Sequence, residues 1–404
     1  MKKTLLAAAL VTGFAGVAHA ESSVTLYGLV DAGYGYQSVE TKYRGAYPSG
    51  KVTTRDFGVH SGVMNGSRWG LKGSEDLGNG TSAIFVLESG FDVNNGESTQ
   101  GGKLFGRQAY VGLTGDSWGT FTIGRQYNAG DTFVAPIDPF GTGGGFAASN
   151  NIFGDSVSGR YDGVIKYVTP NFSGFQFAVA AVHDDSETKY RGNLGNYKTT
   201  DRTVGVSTGL GYTNGPIYIG ASFDYIDVKE RNAAGITARD KTKAWNIGGT
   251  YDLDVVKLHL LYGGQADGSI GGVGGLANAA FVNTPDLIGA TDLVRDRALA
   301  DFTGDGLKQH SWLAGLSAPV GDAGKLMFSY AGNTVKNTDV AKNFKIKSHN
   351  FALGYRHSLS KRTSVYGVAS YGWSEGKDRD PVLNGTGKTK VTATQAIVGL
   401  QHRF

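Results

Sequence analysis

The stretch Ile217-Tyr218-Ile219-Gly220-Ala221-Ser222-Phe223-Asp224-Tyr225 places apolar residues on every odd position and mostly small or polar ones on the even positions. Side chains along a β-strand point alternately to opposite faces, so this segment has one apolar face and one wet one. The pattern recurs along the chain. Leu26, Gly28, Val30, Ala32, Tyr34 and Tyr36 share a face near the start, as do Phe351, Leu353, Tyr355 and Leu359 later, and Ala396, Val398, Leu400 and Phe404 at the end. Sixteen such segments can be counted, the first over 22–37, the second over 66–77 and the last over 392–404, with 38–65 left as a loop. The connections alternate between tight turns, such as Asp76-Leu77-Gly78-Asn79-Gly80, and long loops. Gly, Asn and Asp in the tight ones are hairpin residues. Short and long connections in alternation, with both termini on the short-turn side, predict an even-numbered up-and-down antiparallel barrel, whose closure removes exposed sheet edges.

Lys2 and Lys3 precede an apolar run from Leu5 to Val17, and Ala18-His19-Ala20 follows. These are the parts of a secretory signal, so residues 1–20 are expected to be a cleaved signal peptide and 21–404 the barrel. Without the two lysines, 37 basic residues stand against 35 acidic ones, a balance that gives nucleic acid no reason to bind. The chain has no cysteine, which excludes a disulfide framework and thiolate metal sites. After the signal no stretch approaches the roughly 20 apolar residues of a membrane helix. A barrel of this size with one greasy face is best accommodated in a membrane, with lipid outside and water inside. Tyr34, Tyr36, Trp69, Tyr225, Tyr355, Tyr371, Trp373 and Phe404 fall near strand ends, as interfacial aromatic girdles require.

One connection stands apart. Gln126 to Arg160 is punctuated by Gly and Pro yet carries Phe133, Val134, Ile137, Phe140, Phe146, Ile152 and Phe153. A solvated linker lacks such residues, so this loop is expected to pack against something. Strand parity then sorts the charges. Arg68 alternates with Trp69 and Leu71 and points inward together with Lys72, while Arg160 and Lys166 oppose Ile165 and Tyr167. Arg107 shares its parity with Ala109, Val111 and Leu113, so alternation does not place it; Arg125, with Phe121 and Ile123, reads as outward.

Ser22 to Gly33, Gly66 to Gly78, Arg107 to Leu113 and the closing Gly399-Leu400-Gln401-His402-Arg403-Phe404 resemble general porins of Gram-negative outer membranes, most closely the trimeric neisserial-type porins of β-proteobacteria. The resemblance covers essentially the whole mature chain. It implies a 16-stranded antiparallel transmembrane β-barrel whose third loop, here 126–160, folds inward and narrows a channel for passive diffusion of small hydrophilic solutes and ions. That family often carries Pro-Glu-Phe-Gly in this loop, whereas this chain reads Asp138-Pro139-Phe140-Gly141, with the acid displaced by one position. Arg68, Arg107, Arg160, Lys72 and Lys166 look like the family's basic ladder, facing Asp131 and Asp138 across the constriction, with Glu88 and Asp92 on the wall. Charges focus the field where water is thin, so mild anion preference is expected. The resemblance also implies a homotrimer, with Arg125 and Glu97 at the subunit contact. Phe404 resembles the signal read by the outer-membrane assembly machinery, and membrane lipids and lipopolysaccharide are further expected partners.

A substrate-specific channel or an adhesin would share the barrel, so graded-solute flux is needed to separate them. No catalytic site is expected: His357 and Ser358 are adjacent and project to opposite faces, so they cannot form a dyad. The seven histidines after the signal show no metal spacing, and surface or interfacial roles are expected for most, with no cofactor. Asp301 to Gly306 lacks the later ligands of a calcium loop. A short helix is expected over 292–300, inside a long loop from 266 to 309. The segment 334–347 carries Lys336, Lys342, Lys345 and Lys347 against Asp339 alone, a basic rim suited to anions or lipopolysaccharide.

Overall fold

The computed structural model describes residues 23–45, 49–192, 195–233, 235, 237–268, 306–337, 344–380 and 385–404, and in it the strands form one antiparallel sheet closed on itself. In chain order the strands are β1 (Ser23–Gly45), β2 (Gly50–Ser61), β3 (Arg68–Gly78), β4 (Thr81–Gly90), β5 (Gln108–Gly115), β6 (Gly119–Tyr127), β7 (Arg160–Val168), β8 (Phe175–Gly192) and β9 (Gly195–Asn214). They continue as β10 (Ile217–Arg231), β11 (Thr237–Asp252), β12 (Lys257–Ala266), β13 (Leu307–Val320), β14 (Gly324–Asn337), β15 (Phe344–Ser358), β16 (Thr363–Asp380) and β17 (Gly385–Arg403). Each pairs with the next, and β1 closes on β17 from Leu29↔Arg403 to Gly45↔Gly387. The expected 292–300 helix lies outside the described residues, as do the signal peptide, most of the 266–309 loop and all of Asp301 to Gly306 but its last residue.

Seventeen segments make sixteen staves. The upper part of β1 pairs with β2 (Ala32↔Ser61 to Tyr43↔Gly50) and its lower part with β3 (Ser23↔Ser74 to Leu29↔Arg68). Thus β2 and β3 are one barrel strand, interrupted at Gly62–Ser67. The interruption is held by Asp31, fully buried, whose carboxylate accepts the backbone N–H groups of Met64 (3.1 Å) and Asn65 (2.9 Å), the Tyr366 hydroxyl (2.6 Å) and the Gln401 amide (3.0 Å).

The expectation of a loop over 38–65 is corrected: most of that span is strand. Likewise β8 and β9 run well beyond the apolar alternation at their lower ends, to Gly192 and from Gly195. These extensions rise past the lipid and carry charged or polar residues on both faces, such as Thr53, Thr54, Arg55 and Asp56. Apolar alternation cannot report a strand that has water on both sides. At the opposite end the turns are tight, and Asn79 and Gly80 both hold positive φ (53° and 70°), the backbone of a two-residue hairpin turn.

The outer wall is greasy. Ile219, Phe223, Ile247, Leu353, Val398 and Leu400 are all exposed, between 43% and 65%. Their even or odd neighbours Gly220, Ser222, Asp224, Asn246, Ala352 and Ile397 are covered from inside. What covers them is the connection from β6 to β7, which enters the barrel. Val134, Ala135, Ile137, Ile152, Phe153 and Val157 pack with Leu261, Leu313 and Ala331 of the wall, and Phe140 and Ala147 pack with Met327, Val368 and Ile397. The wall is thinned to receive it: a Cβ at Gly220 would stand 1.9 Å from the Phe133 carbonyl oxygen, and one at Gly315 would stand 2.5 Å from Pro139.

Candidate functional site

The incoming loop begins at Asn128. Its side chain caps a single helical turn, α1 (Ala129–Phe133), by accepting the Asp131 N–H at 3.1 Å, and its amide donates to the Asp224 carboxylate at 2.8 Å. The loop then travels around the inner wall on polar anchors. Tyr218 donates to the Phe133 carbonyl (2.8 Å), His259 to Ile137 (2.7 Å), Gln395 to Gly144 (2.5 Å) and Asn350 to Phe146 (2.5 Å). On the return, the Ile152 carbonyl accepts from Gln309 (3.1 Å), Ser311 (3.1 Å) and Asn333 (3.0 Å). A carbonyl has two lone pairs, so three donors at one oxygen form a crowded anchor that fixes the loop's path. His259 is buried here, an exception to the surface or interfacial roles expected for most histidines. Because Nδ1–H donates to Ile137, the neutral ring accepts the Ser317 hydroxyl at Nε2 (2.9 Å).

Where the loop leaves the wall, charged groups converge. Glu88 on β4 accepts from Arg107 Nε at 2.7 Å and from the Tyr27 hydroxyl at 3.0 Å, with Arg68 at 4.0 Å. Arg107 also donates to the Tyr127 hydroxyl at 2.9 Å. Arg160 lies 4.0 Å from the centre of the Tyr127 ring and donates to the same hydroxyl. A guanidinium over an aromatic face is held by the ring quadrupole as well as by its hydrogen bonds. Tyr127 thus ties two arginines together. Lys166, 8% exposed, reaches the Tyr127 carbonyl and the Thr132 hydroxyl, both at 3.3 Å, and so points at the loop. Lys72 is different: it is exposed, with its ammonium 5.5 Å from the Tyr27 ring, on the edge of this group.

The two loop acids part company. Asp131 accepts from the Ser158 hydroxyl at 2.5 Å and feels the positive charges of Arg160, Lys166 and Arg107. Burial is the larger influence and raises its pKa above the ordinary carboxylate value. Asp138 does not face the channel. It is 3% exposed and accepts the backbone N–H groups of Phe140 (2.8 Å), Thr142 (3.1 Å) and Ser149 (2.9 Å), so it staples the loop's own turn. The displacement of this acid by one position therefore matters. An Asp whose side chain meets backbone N–H groups two and four residues on is turn chemistry, and that local signal could have assigned it from sequence.

Arg125 and Glu97 stand apart within one chain, their expected contact being one between subunits. Arg125 donates to Asp162 (2.6 Å) and to the Gly106 carbonyl (2.8 Å), and Lys103 pairs with the same carboxylate. Glu97 stays exposed in the connection between β4 and β5, holding the Asn95 amide at 3.0 Å. Sequence reasoning missed the two tyrosines, Tyr27 and Tyr127, that organise the cluster. Parity could not find Tyr127, because the β6–β7 register shifts between Gly124 and Gln126.

The sequence model of the Gram-negative porin family matches residues 6–379. The chain is 40% identical to an outer membrane porin protein of Bordetella pertussis over the whole of both chains. It is 28% identical to outer membrane porin protein 32 of Delftia acidovorans, again over 100% of each. Among solved structures it is similar to the anion-selective porin from Comamonas acidovorans, with a TM-score of 0.60 and 26% identity over 95% of this chain and 100% of that one. The trimer form of OmpT from Vibrio cholerae shares the fold at a TM-score of 0.51 and 13% identity, over 95% and 99%.

Proposed function

The chain belongs to the Gram-negative porin family and is a passive diffusion channel of the outer membrane, and we propose that the arginine cluster beside its inward loop gives it a mild preference for anions. One observation carries this reading. Four cations, Arg68, Arg107, Arg160 and Lys166, converge where the loop narrows the bore, and the carboxylates of Glu88 and Asp131, with Asp155 near Arg160, are fewer than the cations they oppose. With Asp138 turned into the loop, the balance is positive. A low-dielectric wall focuses that excess onto the thin water column, so anions enter at lower cost than cations. The anion-selective porin from Comamonas acidovorans supports the same direction.

Reversal potentials across a planar bilayer under a salt gradient test it. Arg68→Ala and Arg160→Ala should each lower the anion-to-cation permeability ratio; an unchanged ratio in both would remove the cluster from selectivity. Asp131 adds a pH dependence. Its raised pKa means that the carboxylate takes up a proton at a higher pH than a solvated aspartate does, so on acidification its negative charge is lost earlier than a solvated aspartate's would be. The anion preference should therefore rise as pH falls from 7, and Asp131→Asn should show the higher preference already at pH 7 and lose that step.

The rest of the expected organisation follows from the same premise. Residues 1–20 direct export and 21–404 form the barrel. Three copies associate through the first third of the wall, where Arg125, Lys103 and Asp162 form a ready-made charged group. Phe404 is 45% exposed on the outer face and bonded to Gly28 across the closing seam, which supports its reading as the residue that the assembly machinery grasps. Conductance steps arriving in threes in bilayer recordings would support the trimer, and strictly single steps would count against it.

A further inference from the structure

We propose that the bore holds a solute subsite on the short-turn side of the inward loop, built to retain a monosaccharide that carries one anionic group, such as a sugar phosphate or a sugar acid. A cavity of about 370 Å³ lies there, between the loop and the inner wall of β8–β12. That volume falls in the range of small-molecule sites. The cavity is distinct from the arginine cluster and adjoins it at one residue: Thr132, whose hydroxyl Lys166 reaches at 3.3 Å, borders both.

Strand register arranges the wall. Thr213 on β9 and Thr250 on β11 both stand directly opposite Tyr218 on β10. Directly opposed residues point to the same face, and neighbouring strands lie about 4.8 Å apart, so two hydroxyls flank one aromatic ring across roughly 10 Å. The Tyr218 hydroxyl is committed to the Phe133 carbonyl, which fixes the ring in place, and the loop adds Phe133 and Pro136 beside it. A sugar has an apolar C–H face and a rim of hydroxyls, which is the complement of this surface.

Two amides near the start of β8 complete the polar edge. The Asn171 side-chain oxygen accepts the Gly174 N–H at 2.7 Å, so its amide nitrogen is left to donate; the Gln176 amide donates to the Thr169 carbonyl at 3.2 Å, so its oxygen is left to accept. A sugar hydroxyl both donates and accepts and satisfies such a mixed wall, whereas a halide, an acceptor alone, does not. The opposite edge assigns the anionic group. Lys257 borders the cavity, paired at 3.4 Å with Asp252, both side chains being partly exposed. Exposed pairs are weak, so a ligand anion can share this ammonium. Beyond it Lys325 and Arg356 stand directly opposite one another on β14 and β15, on the inward parity of buried Met327. A site inside a conducting pore must release what it binds, so residence here is brief and concentrates such solutes at the periplasmic mouth.

The inference rests on the diffusion-channel reading of the chain. Single-channel recording in planar bilayers tests it, with glucose 6-phosphate, glucose or inorganic phosphate added to the short-turn side of channels inserted in one orientation. Glucose 6-phosphate should give brief partial blockades that glucose and phosphate at equal concentration do not. Thr213→Val/Thr250→Val, which keeps the shape of both side chains, should shorten the blockades about tenfold, as the loss of two neutral hydrogen bonds implies, and the matching serine pair should restore them. Lys257→Gln should reduce the response to glucose 6-phosphate to that of glucose, and Lys361→Gln, on the exposed turn between β15 and β16, should leave it unchanged. Wild-type blockades in the valine pair would overturn the site, as would blockades of equal length with inorganic phosphate, which would mean that the charges of the bore alone hold the anion. Recordings in salt alone separate the two readings: a channel that conducts and prefers anions but shows no sugar-phosphate blockade loses this site alone, and a chain that does not conduct loses both.

Discussion

Phe153→Ala should raise single-channel conductance and make the open current noisy while leaving the barrel folded. Phe153 is 2% exposed and packs with Ile152, Val157, Leu261 and Leu313 between the loop and the wall. Emptying such a site costs about 3–5 kcal/mol, counting lost transfer energy and the cavity left behind. That loss falls on the adhesion of the loop, because Phe153 contributes nothing to the strand ladders. The three donors to the Ile152 carbonyl remain in Phe153→Ala, so the loop is expected to loosen over 150–158 and fluctuate rather than leave the lumen altogether. Bilayer recording reads both effects. Conductance and noise equal to the wild type would mean that the loop is held by its polar anchors alone.

Ile247→Arg should be the most damaging single change on the outside. Ile247 is 50% exposed on β11 and shares its face with Trp245 on one side and Tyr251 on the other, so it lies inside the apolar band. An arginine at that depth costs roughly 2–4 kcal/mol, whereas Tyr251→Arg, at the interface, should cost about 0–1 kcal/mol. Denaturant titrations of barrels folded into phospholipid vesicles measure the difference directly. Equal stability of the two variants would contradict the assignment of this face to lipid.

Much of the fold was legible because membrane barrels obey the simplest periodicity in protein structure. Residues such as Ile219, Phe223 and Val398 must meet hydrocarbon, and their neighbours must not, so the period of two survives in the sequence wherever the strand is in lipid. It fails where that contrast ends. Thr53 to Asp56 stand above the membrane with polar groups on both faces, and the strand there looks like loop. The charged cluster was legible in part for the same reason. Arg68 and Lys166 sit inside regular strands and alternation places them. Arg107 precedes β5, where pairing stops at Glu88↔Gln108, and between Arg160 and Lys166 the alternation is broken near Gly163 (φ 60°). Irregular backbone re-aims side chains, and no count of odd and even positions can follow it. Tyr127 shows the limit most plainly: its role comes from two arginines, 20 and 33 residues away, that meet at one hydroxyl.

The gap between β2 and β3 links the width of the bore to the order of assembly. Freed from strand pairing, Val63 offers its carbonyl to the N–H groups of Gly144 and Gly145 at 2.7 and 3.0 Å, which moors the far end of the inward loop. The same gap is shaped by Asp31, whose partners Tyr366 and Gln401 arrive on the last two strands to be synthesised. The mooring point thus takes its final form only after the first and last strands have zipped together. A cylinder not yet closed would lack this one mooring, and the aperture would take its final width only as the seam closes.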